Sequence, residues 1–322
     1  MAAFSQLVDQ FLEYLEIEKN CSKLTIRDYR HYLEIFARWH SMTNPSQPIE
    51  KLSLDTIRKY RVHLSNRADR HGQTMKKVTQ NYYVIALRSF LRYLIKNDIQ
   101  TLEPSKIDLP KTESRSLKFL EREQIDRLVC MPDTSKIDGL RDRAIMELLF
   151  STGLRVSELV SLNHEQINLD RREFGIIGKG RKSRIVFISE SAADWVARYL
   201  TARKDVYKPL FIRYSGSEID IDGGEKMRLT ARSVERLVKK YVRLARLPVD
   251  ATVHTLRHSF ATDLLTNGAD IRSVQEMLGH KNIATTQIYT HITNKQLREV
   301  HKSFHSGNSK GAVDKEPINV QE

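Results

Sequence analysis

A polar segment without helical or strand periodicity, residues 100–117, divides the 322-residue chain into two parts. It contains two prolines among mostly polar side chains, a composition typical of a linker rather than of a packed element. A chain of this length is expected to form about two domains. The predicted division is a first domain, a linker, a second domain and a disordered tail, at residues 1–106, 107–117, 118–306 and 307–322.

The part before the linker has the apolar periodicity of four amphipathic helices. Ser22 precedes the second helix, and Ser53 is a suitable N-cap for the third. The fourth helix is predicted from near Thr74 to about Asp98, with an inner face of Val78, Tyr82, Ile85, Leu91 and Leu94. Its outer positions carry basic residues that we expect to contact DNA, namely Lys76, Lys77, Arg88, Arg92 and Lys96.

The second part combines helices with short alternating strands. Helices are predicted at 121–130, 139–151, 155–163 and 190–203, and a basic helix is predicted after Thr230. Three short runs predict a small antiparallel sheet, at 166–169, 173–177 and 183–188, and a further short strand is predicted at 210–213. The predicted fold is therefore mainly α with a small antiparallel β-sheet: a four-helix domain followed by an α+β domain.

The charge of the chain restricts its partners. A formal net charge of +13 and a pI near 9.6 favour a polyanion, nucleic acid before a membrane surface. Cys21 and Cys130 have no cysteine or histidine neighbours at metal spacing, which suits a reducing cytoplasm. The N-terminus lacks a basic segment followed by an apolar run, and no stretch approaches the ~18 apolar residues of a membrane span. We expect a cytoplasmic protein without a signal peptide.

A group of residues able to handle a phosphate lies late in the chain. Helical spacing places His254 and Arg257 on one face, three residues apart. Gly279 is suited to end the preceding helix and to turn His280 back toward that face. Tyr289 follows nine residues after His280. We interpret the group as a phosphate-binding site with a nucleophile beside it.

Two earlier segments could add to this site. Arg155 and Glu158 share a helical face, which predicts either a local ion pair of about 0.3 kcal/mol or an arginine held so that it faces a phosphate. Lys179 lies at the tip of a predicted hairpin beside Arg181 and Lys182. Such lysines are mostly solvent-exposed, but a hairpin tip could also place an ammonium next to a scissile phosphate.

Five motifs, in this order and spacing, resemble the signature boxes of the tyrosine recombinases, the phage integrase family. They are Gly153-Leu-Arg-Val-Ser-Glu-Leu, Gly178-Lys-Gly, His254-Thr-Leu-Arg-His, Leu278-Gly-His and Ile288-Tyr-Thr-His. The four-helix part resembles the core-binding domain of that family, and the rest resembles its catalytic domain. The size, without a further arm domain, is most similar to the Xer branch, which resolves chromosome dimers; a phage or mobile-element integrase is the alternative.

The residue types support this chemistry independently of the resemblance. Arg155 and Arg257 stay protonated at every relevant pH and can neutralise charge that grows on the non-bridging phosphate oxygens. His280 could add a third donor. Tyr289 is then the nucleophile.

A phenol with a pKa of about 10 needs a base, for which His254 and a water molecule remain candidates. Lys179 is the candidate acid for the leaving 5′-oxygen. The resemblance implies a 3′-phosphotyrosyl intermediate that needs no metal, ATP or other cofactor. It also implies double-stranded DNA with a palindromic-type site, a homo- or hetero-tetramer on that DNA, and a DNA translocase as a further partner.

Three alternatives are open at this stage. A type IB topoisomerase uses similar chemistry as a monomer, whereas residues 294–304 have the helical character of a segment that packs on a neighbouring subunit. A DNA-binding module without catalysis would not need Tyr289 and both arginines. His254 and His258 could form a zinc pair, but the Glu of an H-E-x-x-H site is missing.

Overall fold

The computed structural model describes residues 2–45, 47–68, 72–110, 118–178, 183–216 and 222–279. The chain folds into two compact units, Met1–Arg115 and Ser116–Glu322. Within the described residues, none of the helices is long and apolar enough to cross a membrane.

The first unit is a bundle of four helices, as the sequence predicts. Ser22 and Ser53 start the second and third of them, because each hydroxyl accepts a hydrogen bond from the backbone N–H three residues on, at 3.2 Å. The helices are α1 Ala2–Ile17, α2 Lys23–Thr43, α3 Leu54–Asn66 and α4 Lys77–Lys96, and short 3₁₀ turns lie at Ile49–Lys51 and Pro104–Lys106.

Aromatic side chains from all four helices form the centre of this bundle. The rings of Phe36 and Tyr60 meet edge-on at 4.9 Å, and those of Phe11 and Phe90 at 5.5 Å. All four side chains are fully buried. Such ring pairs contribute about 0.5–1.5 kcal/mol beyond the burial of their area.

The inner face of α4 differs from the prediction at two positions. Tyr82 is 51% exposed and Ile85 is 38% exposed, whereas Leu91 and Leu94 are buried as expected. The buried stripe also contains Val84 and residues spaced three or four positions from it, and this spacing turns positions 82 and 85 to the opposite side of the helix. The outer face of α4 is therefore partly apolar.

The second unit is organised around a helix that is buried on most of its surface. This helix, α6, packs against three other helices and against the sheet, and it carries the buried residues Ile145, Met146, Leu148 and Leu149. The helices of the unit are α5 Arg122–Val129, α6 Ile137–Thr152, α7 Val156–Val160, α8 Glu190–Ala202, α9 Ala231–Leu244, α10 Val253–Thr266 and α11 Ile271–Leu278.

The described part of the sheet has two antiparallel strands, β1 Glu173–Ile177 and β2 Ser183–Phe187, in a register that pairs Glu173 with Phe187 and Ile177 with Ser183. The fold class predicted from the sequence is confirmed, but the strand predicted at 166–169 is wrong. Asn168 forms only an isolated bridge to Glu173, and its side chain accepts from the Arg171 N–H at 2.8 Å, which closes a turn.

The strand predicted at 210–213 is also replaced by isolated bridges, Asn163 to Pro209 and Ile212 to Arg228. The side chain of Arg228 holds this segment in place. Its Nη1 donates to the carbonyl oxygens of Val160 and Leu162, at 2.9 and 3.0 Å. These contacts hold the loop after α7 against the segment before α9, although the two segments do not form a regular pair of β-strands.

Candidate active site

Gly153 positions the first arginine of the site. It ends α6 in the left-handed conformation, φ +59°, and its N–H donates to the Leu149 carbonyl at 3.0 Å. A Cβ at this position would lie 2.5 Å from the ring of Phe260 on α10. Glycine is therefore required for the backbone turn and for the close approach of α10.

The ion pair predicted between Arg155 and Glu158 is present. Nη1 of Arg155 donates to the carboxylate at 2.8 Å, and its backbone N–H donates to the other oxygen at 2.9 Å. Glu158 is buried on α7, whereas 28% of the Arg155 side chain is exposed. The carboxylate thus fixes both the start of α7 and the direction of the arginine.

A second guanidinium, which the sequence analysis did not identify, binds the same carboxylate. Arg184 on β2 donates from Nη1 and Nη2 to the two oxygens of Glu158, at 3.2 and 3.0 Å. Its side chain is only 10% exposed. The position follows from strand alternation, since Arg184 shares the inward face of β2 with Val186.

The electrostatics of this cluster keep Glu158 ionised. Burial alone would raise the pKa of its carboxyl group. The hydrogen bonds from Arg184 and Arg155, together with the charge of Arg184, outweigh burial and hold the pKa below its usual range. Two guanidinium groups and one carboxylate leave the cluster with a net positive charge.

Arg257 connects three of the predicted motifs. It lies on α10 with 5% of its surface exposed. Nη1 donates to the carbonyl oxygen of Gly153 at 2.5 Å, and Nη2 donates to that of Leu278 at 2.6 Å. The guanidinium therefore ties the turn before Arg155 to the end of α11.

Gly279 ends α11, as predicted, in the left-handed conformation with φ +63°. Its N–H donates to the Glu276 carbonyl at 2.9 Å. A Cβ here would lie 2.7 Å from Nη1 of Arg184. The end of α11 and the inward face of β2 are therefore in direct contact, and the chain passes from this point to His280.

The histidines of α10 differ in their surroundings. His254 lies in the first turn and is exposed, although it shares a helix with the buried Arg257. His258 is half-buried, and burial, followed by the charges of His254 and Arg257, lowers its pKa. In the described ranges, no cluster of three or more His, Cys, Asp or Glu residues could hold a metal ion.

The remaining residues of the predicted site lie outside the described residues: Lys179, Arg181, Lys182, His280 and Tyr289. The described residues that adjoin them are Gly178 and Ser183 in the hairpin, and Gly279 after α11. Of the predicted site residues, the structure pairs Arg155 with Glu158 and anchors Arg257 to the carbonyl of Gly153, two residues before Arg155. His254 lies at the exposed start of the helix that carries Arg257.

Two helices present basic side chains outside this cluster. On α4, Lys76 at the N-cap, Lys77 and Arg92 are exposed, and Arg88 is half-buried. The outer face of α9 contains a single acid, Glu235, among basic residues. Its exposed basic residues are Arg232, Arg236, Lys239, Lys240 and Arg243.

Comparison with known proteins covers both units. The model of the phage integrase family matches residues 118–296, and that of the phage integrase N-terminal SAM-like domain matches residues 8–98. The chain is 37% identical over 300 residues to tyrosine recombinase XerD of Lacticaseibacillus casei, which spans 93% of this chain and 98% of that protein. It is 36% identical over 309 residues to XerD of Listeria monocytogenes, with 94% and 99% covered.

Solved structures share the fold. XerH site-specific recombinase in a post-cleavage complex with its palindromic difH substrate matches with a TM-score of 0.65 and 24% identity, over 92% of this chain and 84% of that one. The Tn1549 transposon integrase with transposon right end DNA matches with a TM-score of 0.69 and 17% identity, over 91% and 99%.

The chain therefore belongs to the phage integrase family, the tyrosine recombinases. Within the family it is a site-specific recombinase of the Xer type.

Proposed function

We propose that this protein cuts and rejoins DNA through a 3′-phosphotyrosyl intermediate and serves in Xer-like resolution of chromosome dimers. The observation that carries the proposal is the contact of Arg257 with the carbonyl of Gly153, two residues before Arg155. It places Arg257 against the turn that leads into Arg155, although the two arginines are far apart in sequence, and Arg155 is itself paired with an ionised buried glutamate. Such an arrangement suits a phosphodiester, whose transition state gathers charge on its non-bridging oxygens.

In the proposed reaction, Arg155 and Arg257 neutralise the phosphate, and His280 donates a further hydrogen bond. The phenol oxygen of Tyr289 attacks phosphorus, and the bond from phosphorus to the 5′-oxygen breaks. His254 or a water molecule takes the phenol proton, and Lys179 gives a proton to the leaving oxygen.

The proposed step conserves one phosphoester bond, because the phosphotyrosyl link replaces the broken one. A free 5′-hydroxyl can reverse it, so the proposed reaction needs neither ATP nor a metal ion. Glu158 supports the reaction by holding Arg155 rather than by contacting DNA, as its burial suits.

The proposed partners follow from charge and family membership. Lys76, Lys77, Arg88 and Arg92 on α4, together with Arg181 and Lys182, are proposed to contact the DNA backbone. The DNA would carry a palindromic-type site bound by a homo-tetramer or by a hetero-tetramer with a related recombinase, and a DNA translocase would act with it in the cytoplasm. The proposed domain limits remain 1–106, 107–117, 118–306 and 307–322.

A covalent-capture experiment tests this function. A duplex selected by the wild-type chain from a random library would be nicked near its centre, so that the short fragment carrying the new 5′-hydroxyl diffuses away and the covalent adduct is trapped. We expect a protein–DNA adduct with wild type and none with Tyr289→Phe, while the two chains bind the duplex equally. An adduct on Tyr289→Phe would contradict the assignment of the nucleophile.

The same duplex separates recombination from a topoisomerase activity. A plasmid that carries two copies of the site should yield recombinant circles, whereas a plasmid that carries one copy should not. Relaxation of a plasmid that carries no copy, without recombinant products from the two-site plasmid, would favour a type IB topoisomerase instead.

A further inference from the structure

The two arginines that share the Glu158 carboxylate differ in how they bind it. Arg184 donates from both terminal nitrogens and is 10% exposed. Within the described residues, the Arg155 side chain makes one hydrogen bond, from Nη1, and is 28% exposed. The side chain of Arg184 therefore binds both carboxylate oxygens, whereas the side chain of Arg155 binds one.

This difference has a consequence for charge. A carboxylate with a single arginine partner tends to bind it through two parallel N–H bonds. Such a pair occupies the two-pronged donor edge of the guanidinium, its fork, and offsets its positive charge. Arg184 takes one acceptor position on each oxygen of Glu158, and the backbone N–H of Arg155 takes a second position on Oε2. The Arg155 side chain is therefore left with one bond, to Oε1. The second positive charge also keeps the cluster attractive to an anion.

We propose that Arg184 is a positioning residue: by occupying Glu158, it leaves the fork of Arg155 available to a scissile phosphate. The inference rests on the proposed function and deepens it.

The location of Arg184 suits this role. It lies on β2 five residues after Lys179, and its guanidinium contacts the Gly279 position, one residue before His280. Through Glu158 it also contacts the start of α7. One side chain thus joins the three segments that carry Arg155, Lys179 and His280.

The test compares cleavage with binding for four chains: wild type, Arg184→Met, Glu158→Gln and the double variant. On the nicked duplex, we expect Arg184→Met to slow formation of the adduct about 100-fold, the scale of a lost transition-state donor, while Kd for the duplex changes less than about threefold. Arg198→Met, which removes an exposed arginine from α8, is the matched control and should cleave at the wild-type rate.

The double variant separates positioning from structural support. Glu158→Gln alone should slow cleavage, because both arginines lose their anionic partner. In the Arg184→Met background the same change should speed cleavage about tenfold, because a neutral amide no longer captures Arg155. A double variant that is slower than Arg184→Met would overturn the proposal, as would an Arg184→Met chain that cleaves at the wild-type rate.

A folding defect in Arg184→Met would appear as a lower unfolding midpoint and as weaker DNA binding. In that case Arg184→Lys decides, since it keeps the charge but cannot bind both oxygens side by side. It should bind DNA normally and cleave about tenfold more slowly, and cleavage at the wild-type rate would reject the role of the fork. Absence of an adduct with wild type would instead reject the proposed function itself.

Discussion

Nη1 of Arg257 lies 2.5 Å from the carbonyl oxygen of Gly153, a residue 104 positions earlier in the chain. The same side chain reaches the carbonyl of Leu278, so one guanidinium satisfies two backbone oxygens that belong to different helix ends. Both oxygens would lose a charged donor if the side chain were shortened. The arginine is therefore expected to support the fold as well as the proposed chemistry.

We expect Arg257→Met to lower the free energy of unfolding by about 2–4 kcal/mol, because each lost hydrogen bond from a charged group costs roughly 1.5–3 kcal/mol and methionine recovers part through packing. Urea unfolding of the full chain, followed by circular dichroism, measures the change. Arg198→Met is the control, because Arg198 is exposed and its contacts are a surface pair with Asp194 and the ring of Trp195, 4.8 Å away. A loss no larger than that of the control would mean that the two carbonyl contacts do not stabilise the fold.

The contact between Gly279 and Arg184 gives a second prediction. Gly279→Ala places a methyl group 2.7 Å from Nη1 of Arg184, whereas Gly223→Ala, at nearly the same φ of +64°, meets only a flexible lysine at 3.4 Å. Both changes carry a backbone cost of about 1–2 kcal/mol. We expect only Gly279→Ala to slow adduct formation, by about tenfold or more.

A double variant shows whether this effect passes through Arg184. With Arg184→Ala the space beside Gly279 is open, so adding Gly279→Ala should change the cleavage rate little further. Equal rates for Gly279→Ala and Gly223→Ala in the wild-type background would instead show that the close approach has no role in the reaction.

Features that depend on near neighbours were predictable from the sequence. Ser22, Ser53 and Thr230 precede helices because each side chain accepts from a backbone N–H in the first turn. Gly153 and Gly279 end helices because glycine adopts a positive φ without steric cost.

Errors arose where a side chain is apolar without being buried. Tyr82 and Ile85 fit a helical stripe as well as their buried neighbours do, so the sequence could not choose between the two faces of α4. On β2, apolar residues occupy both faces, with Ile185 exposed and Val186 buried. The sequence pattern therefore did not show which face of β2 is buried, and the inward position of Arg184 could not be predicted from it.

Contacts between distant segments were beyond the reach of sequence patterns. Arg184 is 26 residues from Glu158, and Arg257 meets two backbone carbonyls that have no sequence signature. Spacing predicted the pair of Arg155 with Glu158, because those residues are three apart on one helix. It could not predict that the same carboxylate binds a second arginine.

The lowered pKa of Glu158 predicts a pH-dependent stability. A carboxyl group whose pKa is lower in the folded chain stabilises the fold above its unfolded pKa, about 4.3, and this contribution is lost as the pH falls through the folded value. Glu158→Gln should therefore destabilise the chain by about 3 kcal/mol at pH 7, the cost of breaking a buried pair. The difference from wild type should stay constant down to about pH 5.5 and shrink below about pH 4.5.

Urea unfolding at a series of pH values gives this difference directly. Asp194→Asn, which removes the exposed partner of Arg198, should cost less than about 1 kcal/mol at pH 7. A difference between Glu158→Gln and wild type that grew on acidification would mean that the folded chain raises, rather than lowers, the pKa of this carboxyl group.

The exposed basic face of α9 leads to the last prediction. If Arg236 contacts a phosphate, Arg236→Gln should weaken binding to specific and random duplexes by a similar factor, because a phosphate contact carries no base information. The slope of log Kd against log salt concentration should fall by about 0.9, the value for one released counterion per phosphate. Fluorescence anisotropy between about 50 and 200 mM salt measures both.

Arg198→Gln removes the same charge from α8 and should leave the slope unchanged. If the two variants gave the same slope, the effect of Arg236 would come from net charge alone, and α9 would not lie along the DNA backbone.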